Sequence, residues 1–266
     1  MVALVPKTKF AELMGELEQI ERLTRAEALS RLAFLERRID SEIAKQNIAP
    51  GERLLLKAKV AAFLGNADAV KGYSQGICSF FGNEGRWDQF NNFIMIGSLK
   101  DAYDMVCEIP VEGGELSKAT WLCVAHALAG NNLKVDECIN YVDRAYPHHE
   151  ASQHAQREML YTAKKLSDSL AAMNLQVDVG AAIQKAISAS VPSTMLALPG
   201  VAYKSSSIEN CTEGGLLIDL ELTPNDETDD QLAQISINFS RKLQELMPAE
   251  VVEELLICLN FKDDPV

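Results

Sequence analysis

Three glycines, Gly65, Gly97 and Gly130, recur at intervals of 32 and 33 residues, each directly after an apolar run of helical length. Glycine accepts the left-handed backbone conformation that closes a helix. Asn66, Ser98 and Asn131 follow them, and side chains of this type cap the first turn of a new helix. So short a connection sends the second helix back along the first, antiparallel to it. The expected pairs are Leu54–Leu64 with Ala67–Phe81, Arg86–Ile96 with Leu99–Ile109, and Ser117–Ala129 with Leu133–Tyr146. Each second helix carries a small residue early on, Ala69, Ala102 or Cys138, spaced by 33 and 36 residues, which lets the two backbones approach. Trp87, Phe90, Phe93, Trp121 and Leu128 are large enough to fill the space between successive hairpins. No hairpin buries both of its faces alone, so the hairpins must stack.

Two helices per unit and a period near 34 residues mark a helical solenoid. The stretch TWLCVAHALAGNNLKVDECINYVDRAYP, residues 120–147, resembles a tetratricopeptide repeat, and GNADAVKGYSQG and GSLKDAYDMVCEIP are weaker partners to it. The resemblance spans roughly residues 52–147. It implies a concave surface that binds a peptide or protein segment, and it implies no chemistry. Trp87 and Asn91, both within Arg86–Ile96, are candidate partner contacts.

The flanks extend the helical pattern. Residues 7–47 predict two amphipathic helices, one carrying Phe10, Leu13, Met14, Leu17 and Ile20, the other Leu29, Leu32, Leu35, Ile39 and Ile43, with Thr24 and Glu27 as a capping box between them. A longer helix is expected over 149–173, and Asp178 caps another running to about Ala189. After Val191 the period changes. Gly214-Gly215 introduces a strand over 216–223, a helix follows over Asp229–Met247, a helical turn over Glu250–Glu254, and a second strand over 255–262. Parallel pairing of these strands needs a crossover, so the helix covers one sheet face. A further strand is expected within Thr194–Ser205. The fold class is therefore α+β and mostly α: a solenoid of antiparallel helical hairpins over 1–190, then a small acidic α/β domain over 191–266.

The chain holds 25 Lys and Arg against 38 Asp and Glu, a net charge of −13. Residues 191–266 contain 4 basic and 14 acidic residues, net −10, while the first 190 contain 21 and 24, net −3. So negative a surface repels phosphate backbones, which argues against nucleic acid and anionic membranes and favours a basic protein partner. The uncharged run Ala186–Tyr203 contains Pro192, Pro199 and Gly200 and does not read as a membrane helix. Nothing near Met1–Val5 resembles a signal peptide, so the expected location is the cytoplasm. The six cysteines, at 78, 107, 123, 138, 211 and 258, include no CxxC pair. Small buried hydrophobes in a reducing compartment are the expectation.

Few residues suggest chemistry. His148, His149 and Glu150 precede His154, and Glu150 and His154 share a helix face, yet a metal site needs three or four ligands. His126 lies in an apolar helix and reads as a buried, hydrogen-bonded core residue. Asp219 and Glu221 share one side of a strand, with Asp226, Glu227, Asp229 and Asp230 beyond it; such carboxylates suit Mg²⁺ or Ca²⁺, but NDETDD lacks the spacing of an EF-hand. Ser205-Ser206-Ser207 reads as a loop. GxSxG, Walker and GxGxxG patterns are missing from the sequence. The reading is a non-enzymatic protein–protein interaction module without metal or cofactor. It would serve as an immunity or antitoxin-type inhibitor of a basic partner, or as a secretion or assembly chaperone. Its candidate contacts are Trp87, Asn91, Asp219, Glu221, Asp226 and Glu227. The alternative is a metal-dependent hydrolase built on Asp219, Glu221 and the loop after them.

Overall fold

A computed structural model describes residues 8–20, 23, 25–111, 115–147, 154–197, 203–210, 216–222, 224 and 227–261. Its first two helices, α1 (Lys9–Ile20) and α2 (Arg25–Ala44), place Leu13, Leu17 and Ile20 against Ala28, Leu32, Leu35 and Ile39. Together with Ile48 and with Leu56, Val60 and Phe63 of α3 (Pro50–Phe63), these residues form an apolar cluster of their own. Helix α3 starts four residues before the expected Leu54. Pro50 opens it, because the proline ring pre-sets a helical φ and its missing N–H is not needed there. The expected capping box at Thr24 lies outside the described residues.

The next helices are α4 (Ala67–Met95), α5 (Leu99–Val106), α6 (Leu116–Leu128) and α7 (Asn132–Ala145). The two helices expected within α4 run end to end and are broken at Gly82, where φ is 58° and ψ is −130°. The three recurring glycines do close three alike turns, with φ of 68°, 71° and 70°. In each, the glycine N–H donates to the carbonyl three residues back and the next N–H to the carbonyl five back: Ala62 and Ala61, Ile94 and Phe93, Ala127 and His126. This double bond set satisfies carbonyls that the helix end would otherwise strand. Two more helices end in the same way without glycine, at Gln46 (φ 60°) and Asn174 (φ 54°). Gly76 has a separate reason: a Cβ there would stand 2.7 Å from Leu54 Cδ1, where α3 and α4 press together.

Helix α8 (His154–Ala172) packs on α6 and α7, and α9 (Val179–Ser190) packs on α5. Asp178 caps α9 as expected, its carboxylate accepting from the Ala181 N–H at 2.8 Å. Helix α9 and its flanks run along the row of turns. The Val177 carbonyl lies 2.9 Å from where a Gly130 Cβ would be, and the Leu196 carbonyl, in a short 3-10 helix Ser193–Leu196, lies 2.8 Å from that of Gly65.

Beyond this stands a three-stranded sheet of β1 (Tyr203–Asn210), β2 (Leu216–Leu222) and β3 (Leu255–Phe261), in that order. β1 pairs antiparallel with β2, Ile208 opposite Ile218; β3 pairs parallel with β2, Ile257 opposite the same residue. The parallel pair is joined by α10 (Asp229–Leu246) and α11 (Ala249–Glu254), the crossover that parallel pairing demands. Ile218, Leu220 and Leu222 are buried on the same face as Leu255, Ile257 and Leu259, and Ile235, Phe239 and Leu243 of α10 belong to the same cluster. Ser205–Ser207 is not a loop: it lies in β1, where pairing with a half-buried partner strand outweighs the serines' turn preference. Helix α10 also packs on α9, so one cluster of buried side chains runs from Ala61 to Leu259.

Candidate functional site

The acidic residues singled out in the sequence fall on β2 and just before α10. Asp219 occupies the middle of β2, opposite Ser207 and Cys258. Glu221 is half-buried two residues on, opposite Asn260. Glu227 is half-buried just before Thr228, which caps α10 in a box with Gln231. Asp226 lies outside the described residues, as do His148, His149 and Glu150. Among the described residues no group of three or more His, Cys, Asp or Glu side chains could hold a metal ion.

A second set of carboxylates, on the helices beside the sheet, is more exposed. Asp229 and Asp230 stand in the first turn of α10, where the helix dipole favours negative charge. Glu250 and Glu253 stand on α11. All four are exposed and lack an ion-pair partner among the described residues. Glu245, by contrast, pairs with Lys242 at 2.8 Å, and that lysine holds its carboxyl below the ordinary value.

Trp87 is a core residue and not a presented contact. It is 8% exposed, its ring edge meets Phe90 at 5.3 Å, and Phe90 meets Trp121 at 6.0 Å. The ammonium of Lys118, paired with Glu84, sits 6.0 Å from the Trp87 ring. Asn91 is exposed, one turn along from Asp88, whose carboxyl is pushed above its usual range by burial and by Glu84. Between these helices and α5, Phe90, Leu99, Tyr103 and Trp121 line a cavity of about 20 Å³, room for a single water.

His126 is 1% exposed, as expected, with Tyr103 edge-on at 5.5 Å. Its Nδ1 has no hydrogen-bond partner among the described residues, where a satisfied core histidine was expected. Burial, aided by Lys134, pushes its pKa down to about 4, so the ring is neutral at pH 7. Cys123 and Cys138 are fully buried and stand equally far from the turn at Gly130-Asn131, so they face each other across the hairpin. Their mutual hydrogen bond and burial push the Cys123 thiol far up, which makes it inert.

A groove of about 670 Å³ opens along the row of turns, between those at Gly65 and Gly97 and the end of α9. Asn66 and Ser98 both line it, and both were expected to cap helices. Asn66 does so, accepting from the Ala69 N–H at 3.0 Å. Ser98 does not. Gln184 of α9 takes its place, its Oε1 accepting from the N–H groups of Lys100 at 2.7 Å and Asp101 at 3.3 Å, while its Nε2 donates to Asp101 at 2.8 Å. The signal for this was a lone glutamine in AAIQKAIS between the buried residues Ile183 and Ala186. No protein-family model, curated protein or solved structure matches the chain.

Proposed function

We propose that this chain is a non-enzymatic protein-binding module, a repeat-like helical solenoid that presents an acidic α/β unit to a basic partner. The carrying observation is the set of carboxylates Asp229, Asp230, Glu250 and Glu253 on the two helices beside the sheet, exposed and without an ion-pair partner among the described residues. Carboxylates left unpaired on a rigid scaffold steer a cationic partner and raise its association rate. The buried cluster shared by α9 and α10 holds the carboxylate-bearing helices against the helical part of the chain. The mechanism is occlusion: acidic groups pair with Lys and Arg of the partner and cover them, as an immunity protein or a secretion chaperone would.

The test begins with affinity capture from native lysate, using the wild-type chain and a variant carrying Asp229→Asn, Asp230→Asn, Glu250→Gln and Glu253→Gln. The expected result is a basic partner retained by the first and largely lost by the second, with a stopped-flow association rate that falls as salt is added. A partner held equally by both chains, at a rate indifferent to salt, would refute the proposal.

A further inference from the structure

We infer that the groove along the turn row is a pocket for a basic side chain, arginine or lysine, carried by an extended segment of the partner. This rests on the basic-partner reading above and adds to it a second point of attachment, in the helical part of the molecule.

The groove is built from two recurring turns. Gly65 and Gly97 adopt positive φ, so backbone forms much of its wall, and Leu64, Ile187, Val191 and Leu196 give it apolar sides. Its volume of about 670 Å³ falls in the range that accommodates small ligands or a peptide side chain with its flanking backbone. Ser98 is 6% exposed, lines the groove, and does not cap α5; its hydroxyl makes no hydrogen bond among the described residues. That hydroxyl is not among the enclosed polar atoms left without a partner, so it opens onto the groove, where a ligand or water can satisfy it. Its ordinary task, capping α5, is carried out by Gln184, which leaves the hydroxyl available.

The sign of the ligand's charge follows from what surrounds the groove. Two helix N-termini border it, and alone they would favour an anion. Both are already answered: α5 by Gln184, α4 by the Asn66 side chain. The remaining formal charge among the described lining residues is that of Asp68, exposed in the first turn of α4. Lys71, one turn along, pairs with Asp101 at 2.8 Å and also feels the Asp68 carboxylate, but forms no ion pair with it among the described residues. The last turn of α9, at Ile187 and Ser188, brings the negative end of a helix dipole to the opposite wall. Ser188 and Ser193 add hydroxyls that accept from an ammonium or guanidinium group. A cation with an aliphatic stem therefore fits on both counts, its head at Asp68 and Ser98 and its methylenes against Leu64 and Leu196.

The test is a titration of the ¹⁵N-labelled full chain at low salt with two blocked tripeptides, acetyl-Gly-Arg-Gly-amide and acetyl-Gly-Glu-Gly-amide. The arginine peptide is expected to shift the amide resonances of Gly65, Gly97 and Ser98 in a saturable manner. Asp68→Asn should weaken that effect about three- to fivefold, as for a partly exposed ion pair, with Ser98→Ala giving a smaller loss. Ser98→Ala should leave the melting temperature unchanged, and Asp68→Asn should lower it only by the small contribution of a first-turn carboxylate to its helix. Shifts at these amides from the glutamate peptide instead would overturn the proposal in favour of an anion site. Shifts from the arginine peptide confined to α10 and α11 would also overturn it while leaving the basic-partner reading in place. Shifts nowhere would sink both.

Discussion

The helical part of the chain and the C-terminal unit handle charge in opposite ways. In the first, acids and bases answer one another across helices: Glu16 with Arg31 and Arg38, Lys57 with Asp40, Lys71 with Asp101, Lys118 with Glu84, Arg157 with Asp143. In the second, the ion pair seen among the described residues is Lys242–Glu245, within one helix turn, and its other carboxylates outnumber the available bases. From Ala61 onward the helical part contributes to the same apolar cluster as the C-terminal unit, while α1, α2 and part of α3 close a second one, so along that shared stretch the difference lies at the surface. Paired surface charge adds little to stability, whereas unpaired charge of one sign, beyond what it gives to a helix N-terminus, keeps the surface soluble and produces a field. A field of that kind suits a region that meets something else.

The largest expected effect tests whether the two regions are one energetic body. Phe239 is fully buried in the shared cluster, and Phe239→Ala should cost about 3–5 kcal/mol in urea unfolding. If the regions act together, helix loss and sheet loss will fall in one shifted transition. A C-terminal unit that melts alone, with α1–α8 unmoved, would separate them.

Next in size is the acid response of His126. Its folded pKa, about 4, lies below the ordinary 6.5, so its burial stabilises above 6.5 and that stability is lost as the pH falls toward 4. Between pH 7 and pH 5 the loss should be on the order of 2 kcal/mol. His126→Phe should flatten the wild-type difference between those two pH values, whereas an equal acid response in both proteins would exclude this histidine as its source.

The turns allow a finer comparison. Asn131→Ala removes a side chain that accepts from the Lys134 N–H, and should cost about 1 kcal/mol. Ser98→Ala removes no cap and should leave stability unchanged, while Gln184→Ala should behave as Asn131→Ala does. A destabilising Ser98→Ala would mean that the serine, and not the glutamine, caps α5. The smallest effect belongs to the paired surface: Glu16→Gln loses its two arginine partners and should cost no more than about 1 kcal/mol at low salt, and less as salt rises.

Much of the fold was legible because local chemistry and tertiary packing agree. The three glycine turns, Asp178 as a cap, the β-α-β crossover and the extent of α10 all rest on residues with strong local preferences. Gln46 and Asn174 were missed as turns because they take a left-handed conformation that glycine normally marks. The further strand expected within Thr194–Ser205 begins later: Ser193–Leu196 is a 3-10 helix and β1 runs Tyr203–Asn210, through three serines whose turn preference is overridden by pairing with β2. The candidate groove was less legible than the fold. It depends on residues distant in sequence, Gln184 displacing Ser98 from its capping role, and helical period says nothing of such exchanges. Trp87 illustrates the converse case: a large aromatic among paired helices looks like an anchor, and here it is buried, with Phe90 against it and the Lys118 ammonium over its ring.

The contrast between the two surfaces is tested most directly by calorimetric titration with octalysine over a range of salt, on the wild-type chain and on the variant neutralised at Asp229, Asp230, Glu250 and Glu253. The account predicts binding to the wild type that weakens steeply with salt, and a variant that has lost most of both the affinity and the salt slope. A variant that binds octalysine as tightly as the wild type, with the same slope, would contradict it.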